Sequence, residues 1–142
     1  MQSMTTTINT QAAATTPDLT RSALWTGRVL SGLGSMFLLF DAIMKLFKPR
    51  FVVDATVQLG YPESAIVGIG VALLISTVLY LVPRTAILGA VLLTGYLGGA
   101  VATHVRVGGP AFNIVFPVIF GALLWAGIWL RDRRVRNLLP LA

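Results

Sequence analysis

The stretch VGGPAFNIVFPVIFGALLWAGIWL, Val107 to Leu130, runs 24 residues without a formal charge between Arg106 and Arg131. About 20 predominantly apolar residues in helical form cross the hydrocarbon core of a bilayer. Helix is the form required there, because lipid offers the backbone no hydrogen-bond partner. Two earlier segments follow the same pattern: 20 uncharged residues between Glu63 and Arg84, and 19 between Arg84 and His104. A fourth, Leu24 to Phe47, is strongly apolar through Leu30, Leu33 and the run Met36-Phe37-Leu38-Leu39-Phe40, and carries Arg28 near one end and Asp41 and Lys45 near the other. The two cations can snorkel to the interfaces. An Asp near a helix centre costs roughly 2.5–3.5 kcal/mol on insertion scales and less toward an end, which the neighbouring apolar residues offset. The pattern predicts an all-α integral membrane four-helix bundle with spans at about 24–47, 64–82, 85–105 and 111–130.

Composition excludes the other classes. The chain has 142 residues, 56% of them hydrophobic and 11% charged, where soluble domains carry roughly a quarter charged. A chain of this size buries only about two-thirds of its unfolded surface, so a soluble monomer could not hide that much apolar area. Disorder of the whole chain is excluded because disorder needs low hydrophobicity. There is no cysteine and one histidine, which excludes disulfides, a usual zinc site and bis-His haem ligation, and no metal site is expected. The net charge of +6 is spread too thinly to predict nucleic-acid binding. Residues 1–22, rich in Thr, Gln and Ala, show no sustained apolar period and are expected to form a disordered tail. They lack the basic start and continuous apolar region of a signal peptide. The four-span domain is expected over 23–140.

The connections set the topology. Val82-Pro83-Arg84-Thr85 and Arg106-Val107-Gly108-Gly109-Pro110 are short, and short links make successive helices antiparallel neighbours. An up-down-up-down order follows, with Pro83 placed to begin the third helix. The first connection is longer. Between Pro49 and Gly60, Val52, Val53, Thr56 and Val57 recur at helical spacing, predicting a short amphipathic helix at the membrane surface between spans one and two. Four spans put both termini on one side, with Arg21, Arg28, Arg84, Arg131, Arg133, Arg134 and Arg136. The other side has Lys45, Lys48, Arg50 and Arg106. The excess of basic residues marks the cytoplasmic side. The chain is expected to be multi-pass in a bacterial inner membrane with both termini cytoplasmic, its Arg131–Arg136 run facing anionic headgroups. Trp25, Trp125 and Trp129 fall at the same inner ends, as an aromatic belt does.

In that topology the remaining ionisable residues gather at the outer end. Asp41 and Lys45 end span one, Glu63 opens span two, and His104 and Arg106 end span three. Gly27, Leu30, Gly34, Phe37, Asp41 and Lys45 share one face of helix one, and Leu93, Leu97, Ala100 and His104 one face of the third span. Packing these faces together would bring Asp41 toward His104 and Arg106. Gly95, Gly99 and Thr103 form a small-residue ridge suited to a neighbouring backbone. Each residue also has a plainer reading: an i,i+4 ion pair for Asp41 and Lys45, interfacial packing for His104, a snorkelling anchor for Arg106, and a first-turn acid for Glu63. Intramembrane ionisable residues nonetheless default to a functional site. Asp41, Lys45, Glu63, His104 and Arg106 are therefore the candidate ligand-binding residues, a polar cap over an apolar bundle that suits a small amphipathic molecule.

The strings LFDAIMK (39–45), ATVQLGYPE (55–63), PRTAILG (83–89) and LLTGYLGGAVATHVR (92–106) resemble the DoxX-like family of small bacterial membrane proteins over about residues 24–140. The resemblance implies four transmembrane helices, an association with quinone-linked oxidase and oxidoreductase complexes, and membrane assemblies with oxidative-stress enzymes. It implies no catalytic residues. The expected function is an accessory membrane protein binding a quinone or lipid-like ligand at its outer polar end and docking a redox enzyme. The alternatives are a quinone-linked oxidoreductase subunit and an oligomeric small-solute transporter, the latter requiring a homo-oligomer because four helices make a thin pore.

Overall fold

The computed structural model describes residues 20–138, so most of the expected N-terminal tail lies outside the described residues. Among the described residues six helices follow in order: α1 (Arg21–Phe47), α2 (Arg50–Gln58), α3 (Ala65–Leu81), α4 (Ala86–Arg106), α5 (Ala111–Arg131) and α6 (Arg133–Leu138). Helices α1, α4 and α5 are long and apolar enough to cross a membrane. α1 starts three residues before the expected span because the Thr20 hydroxyl accepts from the Ala23 N–H and caps the helix. α3 is also apolar but has 17 residues, about 25 Å at 1.5 Å per residue. It is shorter than the span expected over 64–82. Glu63 and Ser64 form the turn before it, and Val82 leaves the helix with extended backbone.

The four long helices pack as a ring. α1 lies between α3 and α5, and α4 lies between the same two on the opposite side. Leu38, Ala42, Leu73, Leu93, Leu124 and Ile128 supply the buried core. α1 and α4 are therefore not packed directly on one another, as joining the Asp41 face to the His104 face would require. The small residues of α1 serve α5 instead: a Cβ on Gly27 would sit 2.8 Å from the Gly127 carbonyl oxygen, and one on Gly127 would sit 2.6 Å from Ser31 Oγ. α3 meets α4 through Gly89, whose missing Cβ would overlap the Tyr80 backbone.

A polar knot joins the same ends of α1, α3 and α5. The buried Tyr80 hydroxyl donates to the Leu124 carbonyl at 2.7 Å and accepts from Ser31 at 2.9 Å. The Arg131 guanidinium lies over the Tyr80 ring at 5.0 Å and donates to the Tyr80 carbonyl at 3.0 Å. The arginine run that charge counting turned toward lipid headgroups is largely folded back onto protein. Arg134 reaches the Pro83 carbonyl at 2.7 Å, and Arg136 reaches the Trp129 carbonyl at 2.9 Å. Cations at helix ends satisfy carbonyls that have no helical partner. Trp125 differs from a belt residue: its indole N–H donates 2.8 Å to Thr94 in the middle of α4.

Of three local expectations, one holds and two resolve differently. α2 forms where the spacing places it, and Lys48, in the left-handed region at φ 50°, turns the chain into it from α1. Pro83 lies in the turn ahead of α4, which Ala86 starts. The ridge of Gly95 and Gly99 holds no neighbouring backbone: a Cβ at either would meet nothing within 4 Å.

Candidate functional site

The end of the ring opposite the Tyr80 knot holds a half-open cavity of about 480 Å³, inside the roughly 300–1,000 Å³ range of small-molecule sites. All four ring helices and α2 contribute to its wall. One wall is aromatic. Phe37 of α1 packs on Phe116 and Phe120 of α5 with ring centroids 5.7 and 4.9 Å away, and Phe116 and Phe120 are 5.1 Å apart. Their order comes from the i,i+4 spacing of Phe116 and Phe120 on one face of α5. Pro117, buried in α5 and lining the same wall, has no N–H to offer the Asn113 carbonyl.

The opposite wall and the mouth are polar. Asp41 accepts from Lys45 at 2.5 Å, one helical turn away, and both line the cavity. Lys45 is held there by packing, since Gly70 of α3 would place a Cβ 2.8 Å from the Lys45 Cβ. The pair is electrically neutral as a unit, which limits the cost of holding it away from water. Asp41 keeps a second carboxylate oxygen, and Lys45 keeps ammonium hydrogens, for other partners. Across the cavity, α4 presents Tyr96 and His104, both half-buried. Neither side chain has a hydrogen-bond partner among the described residues. His104 rests its Nδ1 edge against Gly109, where a Cβ would come within 3.3 Å. Nearby, the Tyr61 hydroxyl donates to Thr103 Oγ at 2.9 Å while Thr103 donates to the Gly99 carbonyl at 2.8 Å. Among the described residues no group of three or more His, Asp or Glu side chains could hold a metal ion.

The five candidate residues separate. Asp41, Lys45 and His104 meet around the cavity, across the ring rather than through direct packing of α1 on α4. Glu63 does not line it. It precedes α3, is 59% exposed at the side chain, and pairs with Lys48 at 3.1 Å, a surface bridge worth about 0–1 kcal/mol. Arg106 does not line it either. Its guanidinium donates 2.7 Å to the Leu59 carbonyl and lies against Gly60. Gly60 sits at φ +83° with its missing Cβ 3.1 Å from that guanidinium, so conformation and space both call for glycine. Arg106 thus pins the end of α2 to the end of α4. Sequence reading passed over Tyr96, Tyr61 and the phenylalanine wall. The signal was available in Tyr96, a hydroxyl in the middle of an apolar span that needs a partner there.

A family model described as the DoxX-like family matches residues 29–127, and the chain belongs to that family. No curated protein and no solved structure matches the chain.

Proposed function

We propose that this DoxX-like membrane protein is a four-helix, up-down-up-down bundle whose outer end holds a small amphipathic ligand of quinone or lipid type. The observation that carries the reading is the cavity of about 480 Å³, with a phenylalanine wall on one side and unpartnered Tyr96 and His104 on the other. A flat ring fits against stacked phenylalanines, and carbonyl or hydroxyl groups on it would meet Tyr96, His104 and the Asp41–Lys45 pair. Polar groups without protein partners in an apolar setting are costly, and a ligand or water satisfies them. The 17-residue α3 completes the fourth crossing with its apolar flank Val82-Pro83. The neutral pair, the lack of a cofactor motif and the family membership together favour an accessory, ligand-holding role.

The test is titration of purified protein in nanodiscs with decyl-ubiquinone, followed by equilibrium dialysis. Tyr96→Phe and His104→Ala are expected to weaken binding by about three- to tenfold each, the size of one lost hydrogen bond, with the melting temperature unchanged. Binding that neither substitution alters overturns the reading. Native mass spectrometry from mild detergent, on the same preparation, identifies a copurified quinone, lipid or redox-enzyme partner.

A further inference from the structure

The α3–α4 pair is closed at one end and open toward the other. Near Tyr80 the two backbones touch, since Gly89 has no room for a Cβ. About two to three turns further along α4, the structure changes. A Cβ at Gly95 or Gly99 would meet nothing within 4 Å, yet both residues line the cavity and both are exposed. Gly99 lies three residues after Tyr96 and four before Thr103, so it shares their flank of the helix. That flank faces α3: Gly89 touches Tyr80 on it, and Thr103 takes the Tyr61 hydrogen bond on it. The gap therefore has a floor, the Gly89–Tyr80 contact, and a lintel, the Tyr61–Thr103 hydrogen bond. Between them lies a window with glycine backbone on its α4 edge. On the α1–α5 side the phenylalanine rings fill the corresponding space.

Resting on the ligand-binding reading above, we propose that this window is a lateral portal between the cavity and the bilayer. The ligand is then an amphiphile with a hydrocarbon chain: its head sits in the cavity and its chain passes over Gly95 and Gly99 into lipid. The chemistry selects for a chain. A window bordered by glycine backbone and the half-buried apolar Ile69 of α3 offers a methylene chain contact without asking it to leave an apolar medium. A charged or strongly hydrated solute gains nothing there. Gly95 and Gly99 thus set specificity by what they leave out.

The experiment compares Gly95→Leu and Gly99→Leu with the unaltered chain in nanodiscs, using two probes of one head. These are decyl-ubiquinone and its chainless ring, 2,3-dimethoxy-5-methyl-benzoquinone. A Cβ at either position meets nothing within 4 Å, and leucine is a better helix former than glycine, so the melting temperature is expected to hold or rise. Binding of the decyl form is expected to fall about tenfold or more, the size of an overpacking penalty, while the chainless ring stays within about twofold. A decyl probe carrying a terminal diazirine is expected to label the peptide containing Gly95 and Gly99 or the facing turns of α3, and excess decyl-ubiquinone to suppress that labelling. If both probes bind the leucine variants as they bind the unaltered chain, or if the competed label maps to α1 and α5, the portal is wrong and the cavity reading stands. If neither probe binds the unaltered chain, both readings fall.

Discussion

Tyr80 shows how one hydroxyl organises three helices. It is fully buried, its oxygen lies between Ser31 and the Leu124 carbonyl, and its ring carries the Arg131 guanidinium. Tyr80→Phe keeps the ring and deletes the donor. It leaves Ser31 Oγ and the Leu124 carbonyl with one partner fewer in a medium that supplies none. The expected loss is about 1–2 kcal/mol, read as a lower midpoint of thermal unfolding in detergent; an unchanged midpoint would mean the knot is decorative. None of this was legible in advance. Tyr80 read as one more residue in an apolar run, because a tyrosine's partners are set by which helices adjoin it, and sequence periodicity does not fix adjacency in a four-helix ring. Asp41 and Lys45 are the opposite case. Their i,i+4 spacing fixed their pairing locally, and the ion pair is there. Glu63 and Arg106 were placed at the right end of the bundle, but their side chains reach Lys48 and Leu59. Both partners lie on the connection, whose path depends on the left-handed turns at Lys48 and Gly60.

At the scale of elements, α4 carries two kinds of glycine that the sequence presents as one glycine-rich string. Gly89 is a contact glycine, with the Tyr80 backbone where its Cβ would be, whereas Gly98 faces open space. The two positions are predicted to respond in opposite directions. Gly89→Ala must push α3 and α4 apart, because backbone cannot move aside as a side chain end can, and is expected to cost about 3 kcal/mol. Gly98→Ala meets nothing and is expected to be neutral or to gain up to about 1 kcal/mol from helix propensity. Equal midpoints for the two variants would refute the assignment. The helices themselves were legible, because uncharged length and apolar density are local properties: α1, α4 and α5 agree with expectation to within a few residues, and α2 lies where its spacing put it. Neighbour relations were less so. The small-residue face of α1 was matched to α4 and belongs to α5, since both candidate partners display small residues and only the ring order decides between them.

At the scale of the whole molecule, the asymmetry of charge and the asymmetry of packing coincide. The end with the Tyr80 knot has Arg131 and Arg136 bonded to helix-end carbonyls and Arg134 to the carbonyl of Pro83 in the α3–α4 turn. The other end is looser, with a cavity that Thr56 of α2 helps to line and two ion pairs. If arginines at one end were needed only to satisfy carbonyls, their number would say nothing of orientation. But Arg21, Arg28 and Arg84 lie at the same end on exposed positions, so the excess exceeds what capping uses, and it favours a cytoplasmic placement for that end. The chain contains no cysteine, which makes the prediction simple to test with single substitutions at exposed sites. In intact cells, a membrane-impermeant maleimide is expected to label Gln58→Cys on α2 and to spare Ser22→Cys and Asn137→Cys until the membrane is permeabilised. Labelling of Ser22→Cys and Asn137→Cys but not Gln58→Cys in intact cells would invert the bundle and place the cavity on the cytoplasmic side. Labelling of Ser22→Cys and Asn137→Cys from opposite sides would mean that one of the four helices, with the 17-residue α3 the first suspect, does not cross.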